Sequence, residues 1–408
     1  MSPKELSGRV APLTVACGVA FLQFVGAYMR IPLVPLYAKS HGATAADVGM
    51  IVGLFMLTAA CMAIPVGYLS DRVGRRVVIA AGVGIGVLVS AALPSTEHLG
   101  ALMALYAAAG LGVAAFTPAM MAYIADAAPP AMMGRAYGWY TTAQYAGIAV
   151  GPALGGLIAG PGEYSRAFLG SAAVLAIALI GVVVALPARG PRAVSMSGHQ
   201  MGVALHTILK QQTILACWAA VFTATFVWGA FLSFFPLYAQ DAGLSPTAIG
   251  VCFTVQAVAN TLGRAPVGRA IDRGGSRLPF IAGGMAVLSL ATAGVILART
   301  PLGLGAASAL QGLAMGVSMV AVGAALAEAT TTESRGLAMG GYGTAIYLGM
   351  AVSAWVLGPV ILHGGYATGF LTAGAVGVAG TVATLLLLAT PSRGRSYGSG
   401  LKRERGQS

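Results

Sequence analysis

The chain has 408 residues, 57% of them apolar and 8% charged. A soluble domain carries about 25% charged residues, so a soluble fold of this size is excluded, and the apolar content excludes disorder. The net charge of +12 sits mainly in short loops between apolar runs, the pattern of a polytopic membrane protein rather than of a nucleic-acid binder.

Twelve apolar runs follow one another and predict helices α1 to α12: 12–37, 46–69, 77–94, 99–123, 134–160, 164–187, 213–239, 245–268, 278–298, 302–327, 336–361 and 366–390. Most reach the roughly 20 residues that cross about 30 Å of hydrocarbon. None has the alternating ten-residue pattern of a barrel strand. The expected fold is an all-α integral membrane protein with two six-helix halves. α1 is too long for the apolar core of a cleavable leader and lacks a small-residue cleavage site, so it is expected to remain as the first span.

On α1, Gln23, Arg30 and Tyr37 are spaced by seven and share a face. An ionisable residue inside a span is a functional hypothesis by default, so Arg30 is a candidate anchor for an anionic or carbonyl-bearing substrate. Gly26-x5-Pro32-Leu33-Val34-Pro35 is expected to break the end of α1. Gly67-Tyr68-Leu69-Ser70-Asp71-Arg72-Val73-Gly74-Arg75-Arg76 joins α2 to α3. There Gly67 permits close helix approach and Gly74 a tight turn. Asp71 suits a helix N-terminus, and Arg72 and Arg75 can pair with acids. On α4 comes Gly110-x-Gly112. α5 carries Tyr140 and Gln144 four apart, then Gly147-x3-Gly151-Pro152-x2-Gly155-Gly156. Glycines every fourth residue make a smooth packing face, and Pro152 removes a backbone donor.

Residues 188–212 have linker composition and divide a first half (1–187) from a second (213–390); a basic tail occupies 391–408. In the second half, Trp228 lies on α7, Gln256, Asn260 and Arg264 form an i, i+4, i+8 stripe on α8, and Gln311 lies on α10. Arg264 is expected to snorkel to the end of its helix. Gln23, Arg30, Tyr140, Gln144, Trp228, Gln256, Asn260 and Gln311 are thus the candidate cavity residues, a neutral-polar and aromatic set suited to loosely specified amphiphiles. All eleven acids fall in loops or near helix ends, and Asp126 and Glu328 are expected to pair with Arg135 and Arg335.

The halves repeat. Pro35-Leu36-Tyr37-Ala38 returns as Pro236-Leu237-Tyr238-Ala239, and Pro65-Val66-Gly67 as Pro266-Val267-Gly268. Asp71-Arg72 returns as Asp272-Arg273, within a degenerate copy of the loop, Gly268-Arg269-Ala270-Ile271-Asp272-Arg273. Tyr140-x-Thr142-Ala143-x-Tyr145-x-Gly147 returns as Tyr342-x-Thr344-Ala345-x-Tyr347-x-Gly349. An internal duplication with a site between the repeats is characteristic of secondary transporters. With the N-terminus inside, 18 of the 23 Lys and Arg fall on the inner side, which predicts cytoplasmic termini and insertion in a bacterial inner membrane. Cys17, Cys61, Cys217 and Cys252 lie in apolar runs without metal-ligand spacing. No metal, cofactor or phosphate-binding loop is expected, and no paired catalytic groups point to an enzyme.

The loop between α2 and α3, its degenerate copy and the six-plus-six repeat resemble the major facilitator superfamily. The helix 5 and helix 1 motifs are similar to those of its twelve-helix drug:proton antiporters. The resemblance implies alternating access, a small-molecule substrate, protons as coupling ion, the lipid bilayer as surroundings and a monomer. It implies that Asp71 latches one state against Arg135 and the start of α11, with Asp272 and Arg335 as the pseudo-symmetric set. The family's arginine before the helix 4 Gly-x-Gly is absent, since Tyr106 holds that position. The expected function is efflux of small amphiphilic compounds or drugs in exchange for protons; the alternative is transport of an organic anion or metabolite on Arg30.

Overall fold

The computed structural model describes residues 3–129, 132–160, 162–188, 206, 208–330 and 335–389, with side chains from residue 12 to 388 except 336 and the start of α11. The tail and most of the linker between the halves lie outside the described residues. The regular structure among those described is all helix, joined by short turns and without a strand, as the lipid core demands of a chain that must satisfy every backbone group internally. α1 is in two pieces, Pro3–Arg30 and Leu33–Ser40, broken where Pro32 interrupts the ladder. Next come α2 (Ala45–Val73), α3 (Arg75–Ala92), α4 (Leu99–Ala127), α5 (Met133–Ala159) and α6 (Tyr164–Ala185). The second half has α7 (Gln212–Asp241), α8 (Pro246–Asp272), α9 (Leu278–Gly294) and α10 (Pro301–Ala329). α11 and α12 form one run, Arg335–Ala389, parted at Gly365, whose φ of +76° and ψ of 172° leave the helical region.

Among the described residues, nine segments are long and apolar enough to cross a membrane, and one of them, Leu337–Leu388, has the 52 residues of two crossings. α5 and α8 are not among the nine. Each has 27 residues, about 40 Å at 1.5 Å per residue, but their Tyr, Thr, Gln and Arg content makes them less apolar. They pack on each other between the halves, so lipid does not set their composition. Counted in, they complete twelve spans.

The duplication is visible atom by atom. Tyr37 Oη donates to the carbonyls of Thr96 at 3.1 Å and Pro94 at 3.5 Å; Tyr238 Oη donates to those of Ile296 and Ala298, both at 3.1 Å. Each tyrosine is edge-on to a phenylalanine, Phe168 or Phe370. Thr44 caps α2 and Ser245 caps α8. Gly74 (φ +98°) and Gly274 (φ +86°) turn the two related loops. A part-buried hydrogen bond contributes about 1 kcal/mol. Tyr37→Phe and Tyr238→Phe should therefore each lower stability by about that much, read as a small and similar drop in thermal midpoint.

The core is unevenly divided. At the end holding Tyr37 and Tyr238, one cluster draws on both halves, with Leu36, Val48, Phe168, Phe231, Ile249 and Leu357. At the end carrying Arg72, Arg75 and Arg273 there are two clusters. One runs from Leu13 to Leu186 within the first half, and the other from Ile208 to Ala345 within the second. The halves are joined at one end, here the sealed end, and parted at the other, the basic end.

Candidate functional site

Glycines on the four helices between the halves show where the parting begins. At the sealed end a β-carbon on Gly156 or Gly250 would press into the partner helix, against the carbonyl of Pro246 or of Pro152; one on Gly49 would meet that of Ala354, and one on Gly358 would stand 3.0 Å from that of Ala45. Eighteen residues is five turns of helix, so Gly138, Gly268, Gly67 and Gly340 lie on the same faces of the same helices, near the basic end. A β-carbon on any of these four meets nothing within 4 Å. α2 separates from α11, and α5 from α8, over the length of the spans. The sealed end is also held by the Lys39–Asp241 ion pair and by Thr247 Oγ1 donating to the Gly156 carbonyl at 3.0 Å.

The cleft is rich in tyrosine. Tyr28 of α1, Tyr140 and Tyr145 of α5, and Tyr347 of α11 are close enough to interact electrostatically, and Tyr342 of α11 neighbours Tyr145 and Arg264. Tyr347 is in hydrogen-bonding reach of Thr117 of α4. Arg264 does not reach for its helix end, as the sequence suggested. Its Nε donates to Asn260 Oδ1 at 2.9 Å, and its guanidinium lies 4.3 Å from the centre of the Tyr145 ring across the interface. The tyrosine pairs 140/342 and 145/347 mark the repeat in the sequence, where Tyr140 is read as a cavity residue and Tyr145, Tyr342 and Tyr347 are not.

The candidate cavity residues divide. Gln23, Arg30, Tyr140 and Gln256 are buried and Trp228 is half-buried; each has a buried polar atom without a hydrogen-bond partner: Oε1, Nη1, Oη, Nε2 and Nε1 respectively. Such orphaned groups are rare in a settled core and common in a site that meets ligands. Arg30, 4% exposed, neighbours Tyr106. Tyr106 lines a small pocket with Ile31, Val52, Phe55, Met56 and Leu232. Gln144 is half-buried. Gln311 is buried as well; its Nε2 lies 3.4 Å from Thr292 Oγ1 on α9, and its Oε1 has no hydrogen-bond partner. Tyr37, on the Arg30 face in the sequence, serves the clasp at the sealed end.

At the basic end Asp71 pairs with Arg75 at 2.7 Å, and Arg75 Nε with Asp126 at 2.8 Å, all within the first half. Arg277 and Glu328 form the related pair in the second half. The sequence reading did not make these pairings, although a constant offset of 202 relates Arg75 to Arg277 and Asp126 to Glu328. Arg72 stacks over and bonds to Tyr68, and Arg135 is exposed, 5.4 Å from the Trp139 ring centre. Asp272 and Arg273 are exposed; the side chain of Arg335 lies outside the described residues.

The face of Gly147, Gly151 and Gly155 does not lie at the seam between the halves. It packs on α1 of the same half, where β-carbons on Gly147 and Gly151 would stand 2.6 Å and 2.7 Å from the carbonyls of Phe21 and Val25. α5 runs unbroken through Pro152. Of the motif glycines and proline, Gly156 and the Pro152 carbonyl against Gly250 touch the other half; elsewhere on α5 the Ala149 carbonyl accepts from Thr254 Oγ1 at 2.5 Å.

The family model of the Major Facilitator Superfamily matches the chain twice, over residues 16–245 and 217–406. The chain belongs to that superfamily: it is a multi-pass membrane transporter and not an enzyme. It is 25% identical over 240 residues to the quinolone resistance protein NorA of Staphylococcus aureus, a match taking in 57% of this chain and 60% of the relative, about three fifths of its length. Over 142 residues it is 32% identical to an uncharacterized MFS-type transporter of Methanocaldococcus jannaschii, covering 34% of this chain and 36% of the other. A bacterial homologue of the human lysosomal transporter Spinster, solved inward-facing and unoccupied, superposes with a TM-score of 0.75 at 16% identity, over 93% of this chain and 96% of the other. The nucleoside transporter NupG superposes at 0.72 and 14% identity, over 93% and 100%. At such identities these two structures share the fold.

Proposed function

We propose that the chain exports small amphiphilic compounds across a bacterial inner membrane in exchange for protons, as a monomer alternating access between two six-helix halves. The observation that carries this reading is the tyrosine-lined cleft between the halves, sealed at one end and open at the other. π faces and a few unpartnered polar groups bind by shape and stacking rather than by a fixed hydrogen-bond pattern, which suits loosely specified substrates. The partial likeness to NorA supports efflux. By the positive-inside rule the basic end is cytoplasmic, and this conformation is then inward-facing. Asp71 is the reserve latch in this scheme, held by Arg75 until the basic end closes toward Arg135 and α11. Transport of an organic anion or metabolite is the second reading; it is favoured by Arg30, buried without a carboxylate.

Everted membrane vesicles containing the protein, acidified inside, test the exchange. Neutral, cationic and anionic amphiphiles are added in turn while a pH-sensitive dye reports the lumen. At least one class should discharge the gradient, and vesicles without the protein should not respond. Substrate movement with no pH response from any class overturns proton exchange.

A further inference from the structure

Among the described residues, the charges embedded in this transporter are all of one sign. Every acidic residue among the described residues lies in a loop or in the first or last turn of a helix. Two arginines lie farther from the span ends: Arg264 in α8, and Arg30 at the break in α1, ten residues before the end of the Pro12–Ser40 span. Arg264 is eight residues from the end of α8, about 12 Å at 1.5 Å per residue, and half-exposed on the side of the cleft that opens. Arg30 is 4% exposed toward the sealed end, with Nη1 buried and unpartnered. A guanidinium keeps its charge at any working pH, and removing it from water without a counter-charge is costly. The groups at hand are neutral: Asn260 and the Tyr145 ring contact Arg264, and Tyr106 neighbours Arg30. A ring face or an amide offsets part of that cost; an anion offsets more. Between the arginines lies the tyrosine cluster.

We propose that Arg264 and Arg30 are two anion stations, one toward the mouth and one toward the sealed end of the cleft. The preferred substrate is then an aromatic anion bearing a carboxylate or sulfonate. The inference rests on the transport reading and deepens it by fixing the charge of the substrate. Arg264 receives the anionic group from the basic end, the tyrosines stack on the ring system, and Arg30 holds the anionic group where α1 breaks. The planar fork of each guanidinium matches the two oxygens of a carboxylate or sulfonate.

A matched pair of permanently charged probes tests this: naphthalene-2-sulfonate and N-methylquinolinium, alike in size and opposite in sign. The full-length protein in detergent is assayed for binding by ligand-induced thermal shift, and in proteoliposomes for flux. The sulfonate should bind and the quinolinium should not. Arg30→Gln and Arg264→Gln should each weaken sulfonate binding about tenfold or more, the loss of one charged hydrogen bond. Arg30→Lys and Arg264→Lys should recover part of it, and Arg299→Gln, in the exposed loop between α9 and α10, should change nothing. The competition of the two probes on the unaltered protein decides the sign even if a variant does not fold. Preference for the quinolinium, binding of neither probe, or sulfonate binding indifferent to both glutamine variants overturns the proposal. Arginine-dependent binding without flux keeps the anion site and counts against transport. Flux of the quinolinium alone keeps transport and removes the anion site.

Discussion

Valine at Gly138 or Gly340 should leave the protein folded and cut transport at least tenfold. Both glycines lie on helices that face the other half, five turns from Gly156 and Gly358, which are in contact across the sealed end. A β-carbon at either position meets nothing within 4 Å in this conformation, and valine is a slightly better helix former than glycine. Thermal stability should therefore hold or rise slightly. Transport requires the basic end to close, and the two-fold repeat makes these the glycines that approach a partner backbone when it does. Overpacking at such a contact costs about 1–3 kcal/mol, and each 1.4 kcal/mol moves a two-state equilibrium tenfold. Flux should fall at least tenfold in each variant. Gly156→Val and Gly250→Val should do the reverse, weakening the sealed end, where a β-carbon runs into a partner carbonyl. Full transport with valine at both Gly138 and Gly340 would mean that the basic end closes on other surfaces.

Much of this architecture is legible in the residues. The spans are readable because lipid imposes a length and an apolar composition, and the repeat because tight backbone contacts admit few residue types. Gly147 against Phe21 and Gly349 against Phe222 are the same contact made twice. Pro32 marks the break in α1 for a local reason, a missing donor. What sequence leaves open is which neighbour a helix face meets. The smooth face of Gly147, Gly151 and Gly155 serves equally well against α1 or against the other half, and hydropathy does not distinguish them. Asp126 lies at a helix end from which arginines of several loops are within reach, and only the folded loops select Arg75. Arg264 looked like a snorkelling residue because α8 continues to a polar end; its engagement with Tyr145 depends on a helix more than a hundred residues away. Gln311, read as a cavity residue, has its Nε2 near Thr292 Oγ1 and its Oε1 buried without a partner, a split that the sequence does not show. Tyr145, Tyr342 and Tyr347 could have been found beside Tyr140, since the motif that reveals the repeat places the four pairwise on α5 and α11.

Gly151→Ser should destabilise the first half by about 1–3 kcal/mol, and Tyr28→Gly should relieve part of that loss. The two halves solve one packing problem differently. In the first, a β-carbon on Gly151 of α5 would stand 2.9 Å from Tyr28 Cβ on α1. In the second, the related positions are Ser353 on α11 and Gly229 on α7, and a β-carbon on Gly229 would stand 2.9 Å from Ser353 Cβ. One of the two helices must lack a side chain at the crossing, and the glycine has changed partners between the repeats. Each single substitution should lower the thermal midpoint: the serine by overpacking, and the glycine through lost packing and about 1 kcal/mol of helix propensity. The double variant should be more stable than the sum of the two losses by about 1 kcal/mol or more, the range of coupling for residues in contact. Strict additivity would show that the crossing is set by the Val25 carbonyl, 2.7 Å from the same β-carbon, rather than by Tyr28. The reciprocal pair, Gly229→Tyr with Ser353→Gly, applies the same test to the second half. A positive coupling in both would explain why the glycine motif of α5 is incomplete in α11: the close approach is kept, and either helix can supply it.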